Sequence, residues 1–247
     1  TLDILGEHTK DNNSCHEITT EYINILNQIY NNKLDCNVSI KPSHIGSDIS
    51  KRQVLNNFTR IQKHATKLNN FIRLDMENSS LTKQTINLYE NLSLNKKNIG
   101  LVIQAYLHRS INDIEELNQN TNIRLCKGIY NENSKIAIKD PVKINENYIK
   151  LLEIAFDKNI YVGIATHDKI LIKQCIDLIK RKNISTNNFE FQYLYGVPIN
   201  DMIQIYNKNN FKIRAYVPYG LDWYDYSIRR IKENPKIATY IIKNLFK

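Results

Sequence analysis

The sequence predicts a (βα)8 TIM-type barrel of the α/β class, and three observations carry that prediction. Eight short runs rich in β-branched and apolar residues are spread along 247 residues, their starts fall 23 to 38 residues apart, and helical periodicity fills the intervals. That spacing is the length of a βα unit, and eight units in about 250 residues is the size of a closed barrel.

In chain order the strand candidates are "TLDILGE" (1–7), "NVSIKPS" (37–43), "FIRLDMEN" (71–78), "IGLVIQAYL" (99–107), "NIRLCKGIY" (122–130), "IYVGIATH" (160–167), "FEFQYLYG" (189–196) and "KIRAYVPYG" (212–220). Between them "EITTEYINILNQIYNN", "KILIKQCIDLIKRKN" and "YDYSIRRIKEN" return apolar residues at intervals of three and four, the signature of amphipathic helices. A doubly wound open sheet is the structural rival. It would ordinarily place a Gly-rich phosphate turn after the first strand, and "LDILGEHT" has none.

Composition narrows the function classes. A hydrophobic fraction of 42% supports one well-buried core, and only 7 Gly and 5 Pro are scattered along the chain, so no linker divides it. Polar runs such as "YNNKLD", "LNQNTN" and "RKNISTNN" read as loops and helix ends. The net charge of +9 comes from dispersed lysines without a basic block or nucleic-acid motif, so no nucleic-acid partner is expected. Cys15, Cys36, Cys126 and Cys175 lie far apart, which argues against a zinc ribbon or a disulfide framework and for a reducing, cytoplasmic compartment. No metal is expected. No apolar run reaches 18 residues, which leaves peripheral attachment to the inner membrane open.

Barrel chemistry sits at the carboxyl ends of the strands. Those ends offer Glu7, Lys41, Asp75 with Met76, Gln104, Arg124 with Lys127 and Tyr130, Thr166 with His167, Gln192, and Tyr216. Several of these charges interrupt apolar strands. That is costly inside a barrel unless the groups are paired or meet a ligand. The last helix adds Arg229 and Arg230; neighbours on a helix diverge by about 100°, which suits a ligand gripped from two directions better than one solvent stripe. The plainer reading is an i,i+4 pair between Arg229 and Glu233.

With "LDILGE", "VSIKPS", "RLDMEN", "VIQAYL", "RLCKGIY", "GIATHD", "FEFQYLYGVP" and "RAYVPYG" followed by "YSIRRIKEN", the chain resembles the proline dehydrogenase family over essentially its whole length. The resemblance implies oxidation of L-proline to pyrroline-5-carboxylate by hydride transfer to non-covalently bound FAD, the first step of proline catabolism. It implies that Arg229 and Arg230 hold the substrate carboxylate, since paired guanidinium forks match a carboxylate in charge and geometry. Lys41 reinforces that pocket, and Glu7 pairs with the first arginine. Asp75 and Arg124 take the catalytic roles, with Arg124 beside the reactive flavin nitrogen. Tyr130 and Tyr216 line the proline ring, and Tyr216 occupies a position where hydroxyproline-oxidising relatives have a smaller residue. Met76, Gln104, Lys127, Gly128, Ile129, Thr166 and His167 bind the cofactor.

The resemblance further implies a quinone or other acceptor. Asn131 stands where many members carry an aromatic residue, and the barrel is expected to lack the helices that usually precede the first strand in the family. A single catalytic barrel over 1–247, of the monofunctional form, is the expectation. The rivals are another carboxylate-binding barrel enzyme without flavin and a non-catalytic basic scaffold.

Overall fold

Side chains along a strand alternate faces, so a sequence such as Asn-Ile-Arg-Leu-Cys can send polar groups into a barrel and apolar ones out to its helices. The computed structural model of the chain describes residues 1–93, 98–221, 223, 224 and 228. In it eight parallel strands close on themselves in sequence order, β1 (Leu2–Ile4), β2 (Val38–Ile40), β3 (Ile72–Leu74), β4 (Ile99–Gln104), β5 (Asn122–Cys126), β6 (Tyr161–Ala165), β7 (Phe189–Leu194) and β8 (Ile213–Tyr219). The seam is the parallel pairing of β8 with β1, Leu2 opposite Val217 and Asp3 opposite Pro218. The expected barrel is therefore the observed one.

Helices α1 (Asn12–Asn31), α2 (Lys51–Lys67), α3 (Ser79–Ser93), α4 (Ser110–Glu116), α5 (Pro141–Asp157), α6 (Lys169–Arg181) and α7 (Asn200–Lys208) alternate with the strands. Four of them start at side-chain caps. Asp11, Ser50, Asp140 and Asp168 each accept a backbone N–H from the first turn, and Pro141 supplies a prefolded first residue to α5. Their ends reuse one turn. Asn69, Asn159, Asn183 and Asn210, each just past a helix, adopt φ near +50 to +56°, the left-handed region that asparagine tolerates better than most residues. The following N–H groups reach back to close the helix, as in Asn70 N–H to the Ala65 carbonyl at 2.8 Å and Ile160 N–H to Ala155 at 2.9 Å. Asparagine-rich runs thus mark helix exits that lead into strands.

The apolar core lies between barrel and helices. Ile40, Ile72, Leu74, Leu101, Ile123, Leu125, Val162 and Ile164 are fully buried on the outer face of the strands, against Phe58, Ile61, Leu151, Leu152, Leu171 and Cys175 of the helices. Phe189 anchors one corner, with ring centroids 5.3 Å from Phe211 and 5.9 Å from Phe191.

Several boundaries differ from the sequence reading. The strands are shorter than the quoted runs: β2 stops at Ile40 and β3 at Leu74. Lys41 and Pro42 turn the chain into a short 3-10 helix (Pro42–Ile45), and residues 75–78 are held by loop hydrogen bonds. The first helix begins five residues before "EITTEY", because Asp11 caps it. Arg229, Arg230 and the rest of the last expected helix lie outside the described residues, apart from Trp223, Tyr224 and Ile228.

Candidate active site at the carboxyl ends of the strands

A cavity of about 390 Å³ opens over the carboxyl ends of the strands. It gathers Glu7, Lys41, Asp75, Met76, Gln104, Arg124, Lys127, Gly128, Ile129, Tyr130, Thr166, His167 and Tyr216 from seven strands or the loops that follow them. Apart from Gln192, every expected strand-end residue within the described part of the chain lines this one cavity. Gln192 lines two adjoining cavities instead, one of about 360 Å³ that shares Thr166 and His167 and one of about 190 Å³ that shares Arg124 and Tyr216.

The centre of the site is Arg124, buried and held through each of its three guanidinium nitrogens. Its Nε donates to Gln192 Oε1 at 2.6 Å, Nη1 to Asp75 Oδ1 at 2.7 Å and Nη2 to Ser39 Oγ at 3.0 Å. Its guanidinium carbon also lies 4.7 Å from the ring centroid of Tyr216, whose hydroxyl donates to Asp75 Oδ2 at 2.9 Å. Asp75 thus holds a cation with one oxygen and a phenol with the other. Such a network is rigid, because each member's donors or acceptors are committed to a neighbour.

Below this layer Gln192 donates through Nε2 to Glu190 Oε1 at 2.6 Å, and Arg214 Nε donates to both Glu190 oxygens at 3.0 Å. Gly163 makes room for this link, since a Cβ there would sit 2.4 Å from Gln192 Nε2. Deeper still, Arg73 is sealed inside the barrel, donating to Leu101 and Asn122. Burial pulls its pKa down to about 9.

On the β1–β2 side Lys41 Nζ donates to both oxygens of Asp3, at 2.5 and 2.6 Å. Burial works against the ammonium, but the carboxylates of Asp3, Asp75 and Glu7 outweigh it and raise its pKa. Glu77 accepts from the Ser43 hydroxyl and, at 2.9 Å, from its N–H, and burial raises its pKa too. The Glu77 carbonyl accepts from Gln104 Nε2 at 2.9 Å, which fixes that carboxamide over β4.

On the β5–β6 side Lys127 donates to Asp168 Oδ2 at 2.5 Å. Burial disfavours the Asp168 carboxylate, yet bonds from Lys127, Asn145 and the start of α6 hold its pKa down at about 2. His167 accepts the Leu194 N–H through Nε2 at 3.1 Å, so its proton resides on Nδ1. Burial lowers its pKa, which makes it a neutral donor rather than a cation. Gly128, at φ +107°, is glycine for a local reason: a Cβ there would fall 2.1 Å from the Tyr106 ring.

A proline dehydrogenase family model matches residues 1–241. The chain belongs to the proline dehydrogenase family. Membership makes it an oxidoreductase. Proline dehydrogenase 2 of Bacillus subtilis strain 168 is 33% identical over an alignment of 248 residues that takes in all of this chain and 82% of that protein. The proline dehydrogenase of Deinococcus radiodurans is 31% identical, again with all of this chain and 81% of the relative covered. Among solved structures, proline utilization A from Bdellovibrio bacteriovorus, inactivated by N-propargylglycine, superposes with a TM-score of 0.81 at 22% identity. That match covers 89% of this chain and 28% of the other. Proline utilization A from Corynebacterium freiburgense gives the same TM-score at 20% identity over 96% of this chain and 28% of that protein. The chain spans little more than a quarter of those larger proteins, and the likeness to them is one of fold.

Among the buried polar residues of this family member that escaped the sequence reading are Asp3, Ser39, Arg73, Glu77 and Glu190. Each was visible as a polar position inside or just past an apolar strand. What hid them was the reading of strand ends alone, since Asp3, Ser39 and Glu190 sit one layer below the mouth.

Proposed function

We propose that this proline dehydrogenase family member oxidises L-proline to pyrroline-5-carboxylate with FAD, as the first step of proline catabolism, and that residues 1–247 form one catalytic barrel domain. The observation that carries the reading is the convergence of Lys41, Asp75, Arg124 and Tyr216 on one cavity in a chain of this family. When bound, FAD accepts the hydride that leaves the proline ring.

The cavity's lining is compatible with that group. Met76, Val102, Cys126 and Ala165 give apolar surface for a flat ring, and Gln104, Arg124, Lys127 and His167 provide donors. The adjoining cavity past Thr166 and His167 gives a dinucleotide room beyond a single ring system. In this reading Met76, Gln104, Arg124, Lys127, Gly128, Ile129, Thr166 and His167 hold the cofactor. Arg124 brings positive charge to where negative charge arrives, and its Asp75, Gln192 and Ser39 contacts keep it from reorganising during the step.

Lys41, with Arg229 and Arg230, takes the proline carboxylate, and Tyr130 and Tyr216 border its ring. The secondary amine must be neutral before hydride leaves, so one proton is lost on the way. Asp75 is already bonded to Arg124 and Tyr216, which favours an orienting role for it over that of proton acceptor. Electrons then pass to a quinone or another acceptor, with the inner membrane as a peripheral partner. Among the described residues no helix is long and apolar enough to cross a membrane.

The test is turnover of L-proline with an artificial acceptor, with the cyclic imine product trapped by an aromatic amino-aldehyde. Acceptor reduction with stoichiometric imine supports the reading. An FAD-loaded protein that yields no imine from L-proline sinks it.

A further inference from the structure

Both carboxylate oxygens of Asp3 face the Lys41 ammonium, and nothing in the resemblance gives this residue a role. It is 1% exposed and Lys41 6%. Two oxygens within 2.6 Å of one nitrogen is the geometry of an ion pair, and it consumes two of the three ammonium N–H groups. Among the described residues Nζ makes no other hydrogen bond, yet Lys41 lines the cavity. Asp3 itself belongs to the strand rather than to a loop, paired with β2 and β8, so it has no freedom to follow a ligand in or out.

We propose that Asp3 is a positioning residue for the substrate carboxylate: by clamping Lys41 from below, it keeps that ammonium charged and presents its third N–H to the cavity. This inference rests on the proline reading of the site and deepens it. Other charged or titratable groups near the ammonium do not replace Asp3. Asp75 is committed to Arg124 and Tyr216, and Glu77 to Ser43. Glu7 stands at the end of β1, while His44 on the 3-10 helix and Tyr22 on α1 carry no negative charge at neutral pH, with pKa values pushed down and up by burial. Without Asp3 the Lys41 ammonium loses both of these hydrogen bonds and the carboxylate that makes them, less of its burial is offset, and its proton is lost at lower pH.

The probe is tetrahydrofuran-2-carboxylate, a five-membered-ring carboxylate with oxygen in place of the amine. It cannot be oxidised as proline is, and it has no group of its own that titrates above neutrality. Its affinity for the FAD-loaded full chain is measured by calorimetry from about pH 7 to about pH 10, a range below the ordinary lysine pKa. The wild type should bind with a flat profile. Asp3→Asn should bind more weakly and lose up to tenfold per pH unit above the new Lys41 pKa, while Asp3→Asn/Lys41→Arg, whose guanidinium does not deprotonate, should show no such limb.

A merely structural role would lower affinity equally at every pH, so an Asp3→Asn profile parallel to wild type overturns the inference and leaves the proline reading standing. A wild type that binds no probe at any pH removes the carboxylate site itself. Should Asp3→Asn fail to fold, Asp3→Asn/Lys41→Met leaves no unpaired buried charge. It should bind at least tenfold more weakly throughout, and affinity equal to wild type would overturn the role of the pair.

Discussion

The two faces of the same eight strands follow opposite rules. Outward, Ile123, Leu125, Phe189 and Phe191 meet the helices through apolar contact; inward, one residue away, Arg124, Glu190 and Gln192 form a hydrogen-bonded network across the barrel. The outer face is where burial stabilises the fold, at about 25 cal/mol per Å² of apolar surface removed from water. The inner face is a poor source of stability, because desolvating Asp3, Lys41, Asp75 and Arg124 offsets much of what their pairing returns. The comparison teaches that the interior was kept polar for what it binds, while the outer layer holds the barrel closed around it.

That division can be broken from either side. Phe189→Ala, on the outer face, removes the ring that meets Phe156, Phe191 and Phe211. It should cost about 3–5 kcal/mol in denaturant unfolding while the folded fraction keeps its proline KM. A changed KM without a stability loss would mean that the faces are not separable. Arg124→Met, on the inner face, should lower turnover by roughly 10²–10³, about 3–4 kcal/mol of transition-state stabilisation. Turnover within a few-fold of wild type would take Arg124 out of the reaction.

His44 lies between the two layers. Its ring stacks edge-on to Tyr22 of α1, its Nδ1 is buried with no partner among the described residues, and burial first, then Lys41, depresses its pKa to about 4. An unfolded histidine titrates near 6.5, so between that value and about 4 the unfolded chain binds the extra proton. Stability from this residue is therefore complete above about pH 6.5 and is lost as pH falls, by about 3 kcal/mol at pH 4. His44→Gln should flatten this part of the profile. An unchanged slope would assign the acid sensitivity to other groups.

Smaller effects sharpen the substrate side. Arg229→Met or Arg230→Met should each raise the proline KM at least tenfold, about 1.4 kcal/mol of binding, and unchanged kinetics in both would remove the carboxylate assignment. Tyr216→Ser should shift the ratio of kcat/KM toward hydroxyproline, since the ring lies at the cavity wall. No shift would place selectivity in another residue.

The barrel was legible because period-2 runs and 3.6-period runs alternate along the chain. The carboxyl-end rule then collected Lys41, Asp75, Arg124 and Tyr216 correctly into one cavity. The polar runs read as loops and helix ends became left-handed turns at Lys33, Asn120 and Asn183. The lower layer was not legible. Asp3 meets Lys41 across 38 positions and Arg124 meets Gln192 across 68, and these pairings depend on strand stagger, which no local pattern encodes. Gly128 was expected as a cofactor contact, and the structure gives it a local reason as well, since the Tyr106 ring takes the space a Cβ would need.

The claim that this polar interior is a proline-oxidising flavin site is tested most directly by the visible spectrum of the FAD-loaded protein before and after anaerobic addition of L-proline. The expected result is a flavin spectrum that bleaches on addition. A flavin spectrum indifferent to proline, or a protein that cannot be loaded with FAD at all, would contradict it.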